Sequence, residues 1–133
     1  MFSPDGRWLA YVSSESGRNE VYVQPFPGPG GKRQISTEGG RELLWPRDGR
    51  ELFYRNGNQM MAVEVTTEPT FSAGIPRLIF EGRYWGTGAR ADYDVSSDSQ
   101  RFLMIKEAEQ GQAQINVVLN GFEELKRKVP SGQ

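Results

Sequence analysis

An all-β fold assembled from about three copies of one short-stranded unit is what this 133-residue sequence predicts, and three observations predict it. One stretch recurs. Phe2-Ser3-Pro4-Asp5-Gly6-Arg7-Trp8-Leu9-Ala10-Tyr11-Val12 returns as Trp45-Pro46-Arg47-Asp48-Gly49-Arg50-Glu51-Leu52-Phe53-Tyr54, and again as Val95-Ser96-Ser97-Asp98-Ser99-Gln100-Arg101-Phe102-Leu103-Met104. Each copy is an apolar residue, a tight turn around an aspartate, and a strand. The copies stand 43 and 50 residues apart, and a period of about 40–50 residues with four short strands per unit is that of a β-propeller blade. Gly and Pro number 16 and 8, above their average share of roughly 12%, as many short strands joined by turns require. The expected architecture is therefore a single partial β-propeller domain over 1–133. It has about three four-stranded blades, the first and last incomplete, at about 2–37, 38–82 and 83–120, and a short C-terminal helix at about 121–128.

The turn has a local cause. In Ser3-Pro4-Asp5-Gly6, Pro4 presets φ at the second position and Gly6 supplies a positive φ at the exit. The Asp5 carboxylate folds back onto nearby backbone N–H groups. Asp48 with Gly49 and Asp98 hold the same places in the other two copies. Three aligned carboxylates also suit a metal or substrate site, but turn capping once per unit already explains them.

In the first unit, Trp8–Val12 is a strand of aromatic and apolar residues. Ser13–Asn19 is a polar turn, and Val21–Gln24 is the partner strand. Pro25 has no N–H for a ladder and ends the pairing; Arg33–Ser36 is a short outer strand. In the second unit, Glu42–Trp45 enters the turn and Glu51–Tyr54 leaves it. Asn56-Gly57 is a two-residue hairpin signal. Met60–Val65 follows with Met61, Val63 and Val65 on one face. Residues 66–76 read as a loop and Arg77–Phe80 as a strand. In the third unit a glycine-rich stretch from Gly82 to Arg90 precedes a strand at Ala91–Val95. Phe102–Ile105 is the most apolar strand, Glu107–Gln114 a polar loop, and Ile115–Leu119 its partner. Leu9–Val12 and Phe102–Ile105 do not alternate with polar residues, as expected of strands covered on both faces. At the tail, Asn120 with Glu123 approximates a capping box, and Lys126, Arg127 and Lys128 suit a helix C-terminus. Pro130 stops the predicted helix.

Composition excludes several chemistries. Cysteine is absent, so there is no disulfide framework, thiol nucleophile or thiolate-held metal. Histidine is absent, which removes the commonest general base and transition-metal ligand. Ser13, Ser14, Ser96, Ser97 and Ser131 therefore lack a histidine to activate them, and no Ser–Lys spacing replaces it. The formal net charge of -1 gives no global field for nucleic acid. Arg33, Arg41, Arg47, Arg50 and Arg55, with Trp45, Phe53 and Tyr54 among them, read as charged strand edges rather than a nucleic-acid surface. No run approaches the roughly 18 apolar residues of a membrane span, so no membrane partner is expected. The residues assign no compartment.

The unit Ser3-Pro4-Asp5-Gly6-Arg7-Trp8-Leu9-Ala10-Tyr11 resembles the motif of TolB-like, WD40-related (PD40) β-propeller repeats, and the resemblance covers the whole chain through its three motif positions. The tail Gln114–Asn120 with Phe122–Lys126 is similar to the C-terminal end of propellers fused to bacterial serine/threonine kinases. No kinase motif is present. The resemblance implies a bacterial, non-catalytic interaction or sensing module, carried C-terminal to an enzyme in a parent protein, and it allows that parent a periplasmic or extracytoplasmic place.

The site candidates are Arg83, Tyr84, Trp85, Arg90 and Tyr93, aromatics and arginines around a glycine-rich stretch, residue types that dominate interface energetics. The competing reading is a blade-to-blade crossover with its aromatics packed inward. No cofactor and no metal are expected. A chain opening inside its own repeat reads as a fragment lacking its first inner strand, and the last outer strand is not evident. Two copies supply the roughly 260 residues that six blades need, so a homodimer completing a six-bladed ring is the expected partner state. Two alternatives are kept: the propeller of a peptidase whose catalytic part is absent, and a metal-dependent hydrolase holding calcium on Asp5, Asp48, Asp94 or Asp98.

Overall fold

The computed structural model describes residues 1–84, 86, 91–107, 113–119 and 124–128, the last five and residues 107, 113 and 114 by backbone alone. Among the described residues twelve strands form three antiparallel sheets in chain order. The first sheet holds β1 (Trp8–Ser13), β2 (Glu20–Pro25) and β3 (Arg33–Gln34) in that order. The second holds β4 (Arg41–Leu44), β5 (Glu51–Asn56), β6 (Gln59–Thr66) and β7 (Ser72–Ala73), and β8 (Arg77–Glu81) also pairs with β6. The third runs β9 (Asp94–Val95), β10 (Arg101–Glu107), β11 (Ala113–Leu119) and β12 (Glu124–Lys128). Each sheet is a meander, the blade the repeat predicts. The loop expected over 66–76 contains β7, which lies beside β6 through Val65↔Ala73 and Thr66↔Ser72.

The three Asp turns superimpose in their bonding. In the first, the Gly6 N–H donates to Ser3 O at 2.9 Å and the Arg7 N–H to Asp5 Oδ1 at 3.0 Å. In the second, the Gly49 N–H donates to Pro46 O at 3.0 Å and the Arg50 N–H to Asp48 Oδ1 at 3.1 Å. In the third, the Ser99 N–H donates to Ser96 O at 2.8 Å and the Gln100 N–H to Asp98 Oδ1 at 3.0 Å. The exit residue has φ of 72°, 69° and 60° at Gly6, Gly49 and Ser99. Ser99 thus takes the left-handed conformation that glycine takes in the other two copies.

The sheets stack through two apolar seams. The first gathers Ala10, Val21, Val23, Trp45, Leu52, Tyr54, Val63 and Val65 between the first and second sheets. The second gathers Phe53, Met60, Ala62, Ile79, Tyr84, Tyr93, Phe102 and Met104 between the second and third. Consecutive β5 residues point alternately into the two seams, so Leu52, Phe53, Tyr54 and Arg55 are all buried. This is the two-faced burial expected of a middle blade. Phe53 and Phe102 meet edge to face across the second seam, 4.9 Å between ring centres.

Two expectations about the ends are corrected. Residues 121–123 lie outside the described residues, but Glu124–Lys128 is the strand β12, paired from Gln114↔Lys128 to Val118↔Glu124, and not a helix. The caps that favour a helix are worth about 1 kcal/mol each, whereas pairing satisfies the whole outer edge of β11. β12 is therefore the outer strand of the third sheet. At the other end, Met1 and Phe2 take up part of the first sheet's inner position. The Met1 amine donates to Ala10 O at 2.6 Å, the Ala10 N–H to Met1 O at 2.8 Å, and Phe2 bridges Leu9.

Candidate functional site

The glycine-rich crossover from β8 to β9 contains every binding residue the sequence singles out, and the structure divides them. Arg83 is exposed. Tyr84 and Tyr93 are 7% and 8% exposed and belong to the second seam, so both pack inward. Trp85 and Arg90 lie outside the described residues. The Tyr84 ring stands edge-on to Phe80 at 5.9 Å, with Lys106 Nζ 5.6 Å from its centre. Burial pushes the Tyr93 phenol well above its ordinary range, and the Glu42 carboxylate adds to the rise. Tyr93 therefore serves as a hydrogen-bond donor, giving its proton to Glu42 O at 2.7 Å.

Beneath this crossover lies a buried ion pair that sequence reasoning missed. Arg55 ends the apolar run of β5, and Glu42 sits on β4 where its register against β5 shifts. Both side chains are 6% exposed, with Arg55 Nη1 3.6 Å from Glu42 Oε2. Arg55 Nη2 donates to Tyr84 O at 2.9 Å and toward Gly57 O at 3.4 Å. Glu42 has φ of 53°, a left-handed backbone rare outside glycine. Burial raises its carboxyl above the ordinary glutamate value. The Arg55 charge opposes that, the Asp92 carboxylate adds to it, and the Asp92 N–H donates to the carboxylate. Among the described residues no hydrogen-bond donor reaches Glu42 Oε1. A Cβ at Gly86 would lie 2.5 Å from that oxygen and 2.7 Å from Arg55 Nη1, so a larger residue there would require the two charged side-chain ends to shift. The pair thus holds the crossover at Tyr84 and Asp92, and the Glu42 backbone carbonyl holds it at Tyr93.

The seam between the first two sheets has a buried carboxylate of different character. Glu20 Oε1 accepts from Ser36 Oγ at 2.6 Å and from the Gly39 N–H at 2.8 Å, and Arg18 Nε donates to Oε2 at 3.1 Å. Both Glu20 oxygens accept hydrogen bonds, whereas Glu42 Oε1 accepts none among the described residues. The sequence signal for Arg55 is one charge closing an otherwise apolar strand. None marks Glu42, because its strain and burial depend on Tyr93, distant in the chain.

The turn aspartates do not converge on a shared centre. Each carboxylate is taken up by its own turn, and among the described residues no three metal-ligating groups gather. The hydrogen bond from Ser3 Oγ, 2.5 Å from Asp5 Oδ1, holds the Asp5 carboxyl below its ordinary value, with the Arg7 N–H adding to it. The Ser96 hydroxyl and then the Gln100 N–H do the same for Asp98. The turns do touch in sequence: Ser99 Oγ is 3.4 Å from Asp48 Oδ2, and a Cβ at Gly49 would lie 3.3 Å from Pro4. Among the described residues no helix is long and apolar enough to cross a membrane.

No family model matches the sequence, and no curated protein sequence does. Solved structures do match. A protein described as a TolB of Agrobacterium tumefaciens aligns over 97% of this chain and 45% of its own, with a TM-score of 0.69 and 21% identity. The oligogalacturonate lyase of Vibrio parahaemolyticus aligns over 89% of this chain and 35% of its own, with a TM-score of 0.67 and 16% identity. The chain spans less than half the length of either. Three consecutive four-residue turns with the same bonds, three stacked meanders and these structural likenesses show the same thing: the chain has the fold of TolB-like β-propeller repeats.

Proposed function

We propose that this chain is a non-catalytic β-propeller repeat module that binds a protein or small ligand through the crossover between its second and third blades. One observation carries the reading. The Glu42–Arg55 pair, at a cost in backbone strain at Glu42, holds the Tyr84 carbonyl on one side and the Asp92 N–H on the other side of the stretch that carries Trp85 and Arg90 in sequence. Strain of this kind costs about 1–3 kcal/mol and concentrates where a segment must be presented in one geometry. Arg83 stands exposed on that segment, and Trp85 follows it in sequence. A segment of aromatic and arginine residues suits recognition, since side chains of these types dominate interface energetics. The absence of histidine and cysteine from the sequence supports a non-catalytic role.

Screening the folded chain against arrayed peptides and oligosaccharides tests this. The expected result is a ligand whose affinity falls at least about tenfold in both Arg83→Ala and Trp85→Ala, with the melting temperature unchanged. A ligand indifferent to both substitutions contradicts it. A second reading is the propeller part of an enzyme, such as a peptidase or metal-dependent hydrolase, whose catalytic groups lie elsewhere. The lyase among the similar structures favours that reading. Binding of oligogalacturonate by this chain without turnover, unchanged in Arg83→Ala and Trp85→Ala, would decide for this reading and against the first.

A further inference from the structure

We propose that two copies of this chain meet head to tail, the outer face of the third blade against the outer face of the first, and close a six-bladed ring. The inference rests on the repeat-module reading and adds its partner. It follows from the register of the repeat. The turns align Leu9 with Leu52 and Phe102, and Ala10 with Phe53 and Leu103. Within the molecule, the first set faces the preceding blade: Leu52 enters the first seam and Phe102 the second. The second set faces the following blade: Ala10 enters the first seam and Phe53 the second. Leu103 and Leu9 are the members left over. They are the two sides of a contact the molecule already makes twice, as Ala10 with Leu52 and as Phe53 with Phe102.

Exposure agrees with this register. Phe102 and Met104 are 0% and 1% exposed, whereas Leu103 and Ile105, between and beyond them on β10, are 45% and 37% exposed. Ile115 and Val117 on β11 continue that face half-buried. Two open grooves of about 290 and 440 Å³ run along it, both lined by Asp94 and Leu103. On the first blade, Phe2 holds the place that Trp45 holds in the second. Trp45 is 2% exposed, buried against the first blade, whereas Phe2 is 50% exposed and stacks only on Phe26, itself 46% exposed. Phe2 and Leu9 are the natural occupants of the grooves beside Leu103. A formal net charge of -1 sets up little repulsion between copies.

Ring size selects the number of copies. Propellers close with about four to eight blades, and three blades per copy reach that range only as two copies. A head-to-tail contact whose rotation closes gives a ring rather than a filament.

The sequence has no cysteine, so Leu9→Cys and Leu103→Cys can each be introduced singly and joined by a short bis-maleimide linker that spans the roughly 10 Å between packed sheets. The expected result is a linked dimer when the two variants are mixed, none from either variant alone, and a doubly linked dimer without higher multimers from the double variant. Linking of either single variant to itself, or a ladder from the double variant, overturns the proposal. So does failure of the mixture to link while amides of β5 and β10 still exchange slowly, a result that leaves the repeat module standing. Fast exchange in those two strands overturns both. Wild-type sedimentation needs no variant: a monomer at tens of micromolar overturns the ring.

Discussion

At the residue scale, the account divides the charged groups into those that shape turns and those that hold the crossover. Gly6 and Gly49 are favoured by their positive φ, and alanine at either should cost about 1–2 kcal/mol in urea unfolding. Gly49→Ala should cost the more, because Gly49 also faces Pro4 whereas Gly6 faces open space. Asp5 and Asp98 have depressed values in the folded chain. Their contribution is therefore full above the ordinary aspartate value of about 3.9 and is lost as pH falls below it. Acid titration of Asp5→Asn with Asp98→Asn should show a shallower fall of stability below about pH 4 than wild type shows. Glu42 has the opposite sign, since its folded value is raised. Arg55→Met, which strands that carboxylate in the seam, should cost about 3–5 kcal/mol at neutral pH. Part of the loss should return as pH falls toward the ordinary glutamate value of about 4.3 and Glu42 takes up a proton. A Glu42→Gln/Arg55→Met double variant milder than Arg55→Met alone would confirm the coupling. The Asp turns were legible because Ser3-Pro4-Asp5-Gly6 determines its own geometry within four residues. Glu42 was not, because its conformation is imposed by Tyr93 and Asp92 across the seam.

At the scale of elements, the strands that the motif introduces follow it at one fixed distance: β1, β5 and β10 each begin two residues after the turn's exit residue. Their apolar runs and flanking turns are local signals. The strand at the tail was illegible for the converse reason. Asn120, Glu123 and the run Lys126-Arg127-Lys128 favour a helix locally, while the demand comes from β11, whose outer backbone groups need a partner. Deleting residues 120–133 should expose that edge, lower the melting temperature and speed exchange of the β11 amides. Equal protection with and without the tail would show that β12 contributes nothing. At the second seam, Phe102→Ala removes the ring that meets Phe53, Phe80 and Tyr93. It should cost about 3–5 kcal/mol, read as an early loss of the third blade in thermal unfolding. Of the crossover candidates, Tyr84 and Tyr93 turned out to be packing residues, because aromatic content alone does not say which way a ring points.

At the scale of the whole molecule, three blades in sequence leave a preceding-type face on the first and a following-type face on the third. Both faces carry apolar side chains: Phe2 and Leu9 lie on one, Leu103 and Ile105 on the other. Repeat units of this kind bury their hydrophobic surface only by stacking on neighbours, and terminal units need a cap or a further unit. The equivalence of the units is the claim on which the register, the seams and the ring all depend. It is tested most directly by the solution mass of the purified chain, measured by light scattering from one to fifty micromolar, roughly the range in which a specific contact of this size is populated. The account predicts a particle of two 15.0 kDa chains, unchanged across that range. A single 15.0 kDa species throughout, or a mass that keeps growing with concentration, would contradict it.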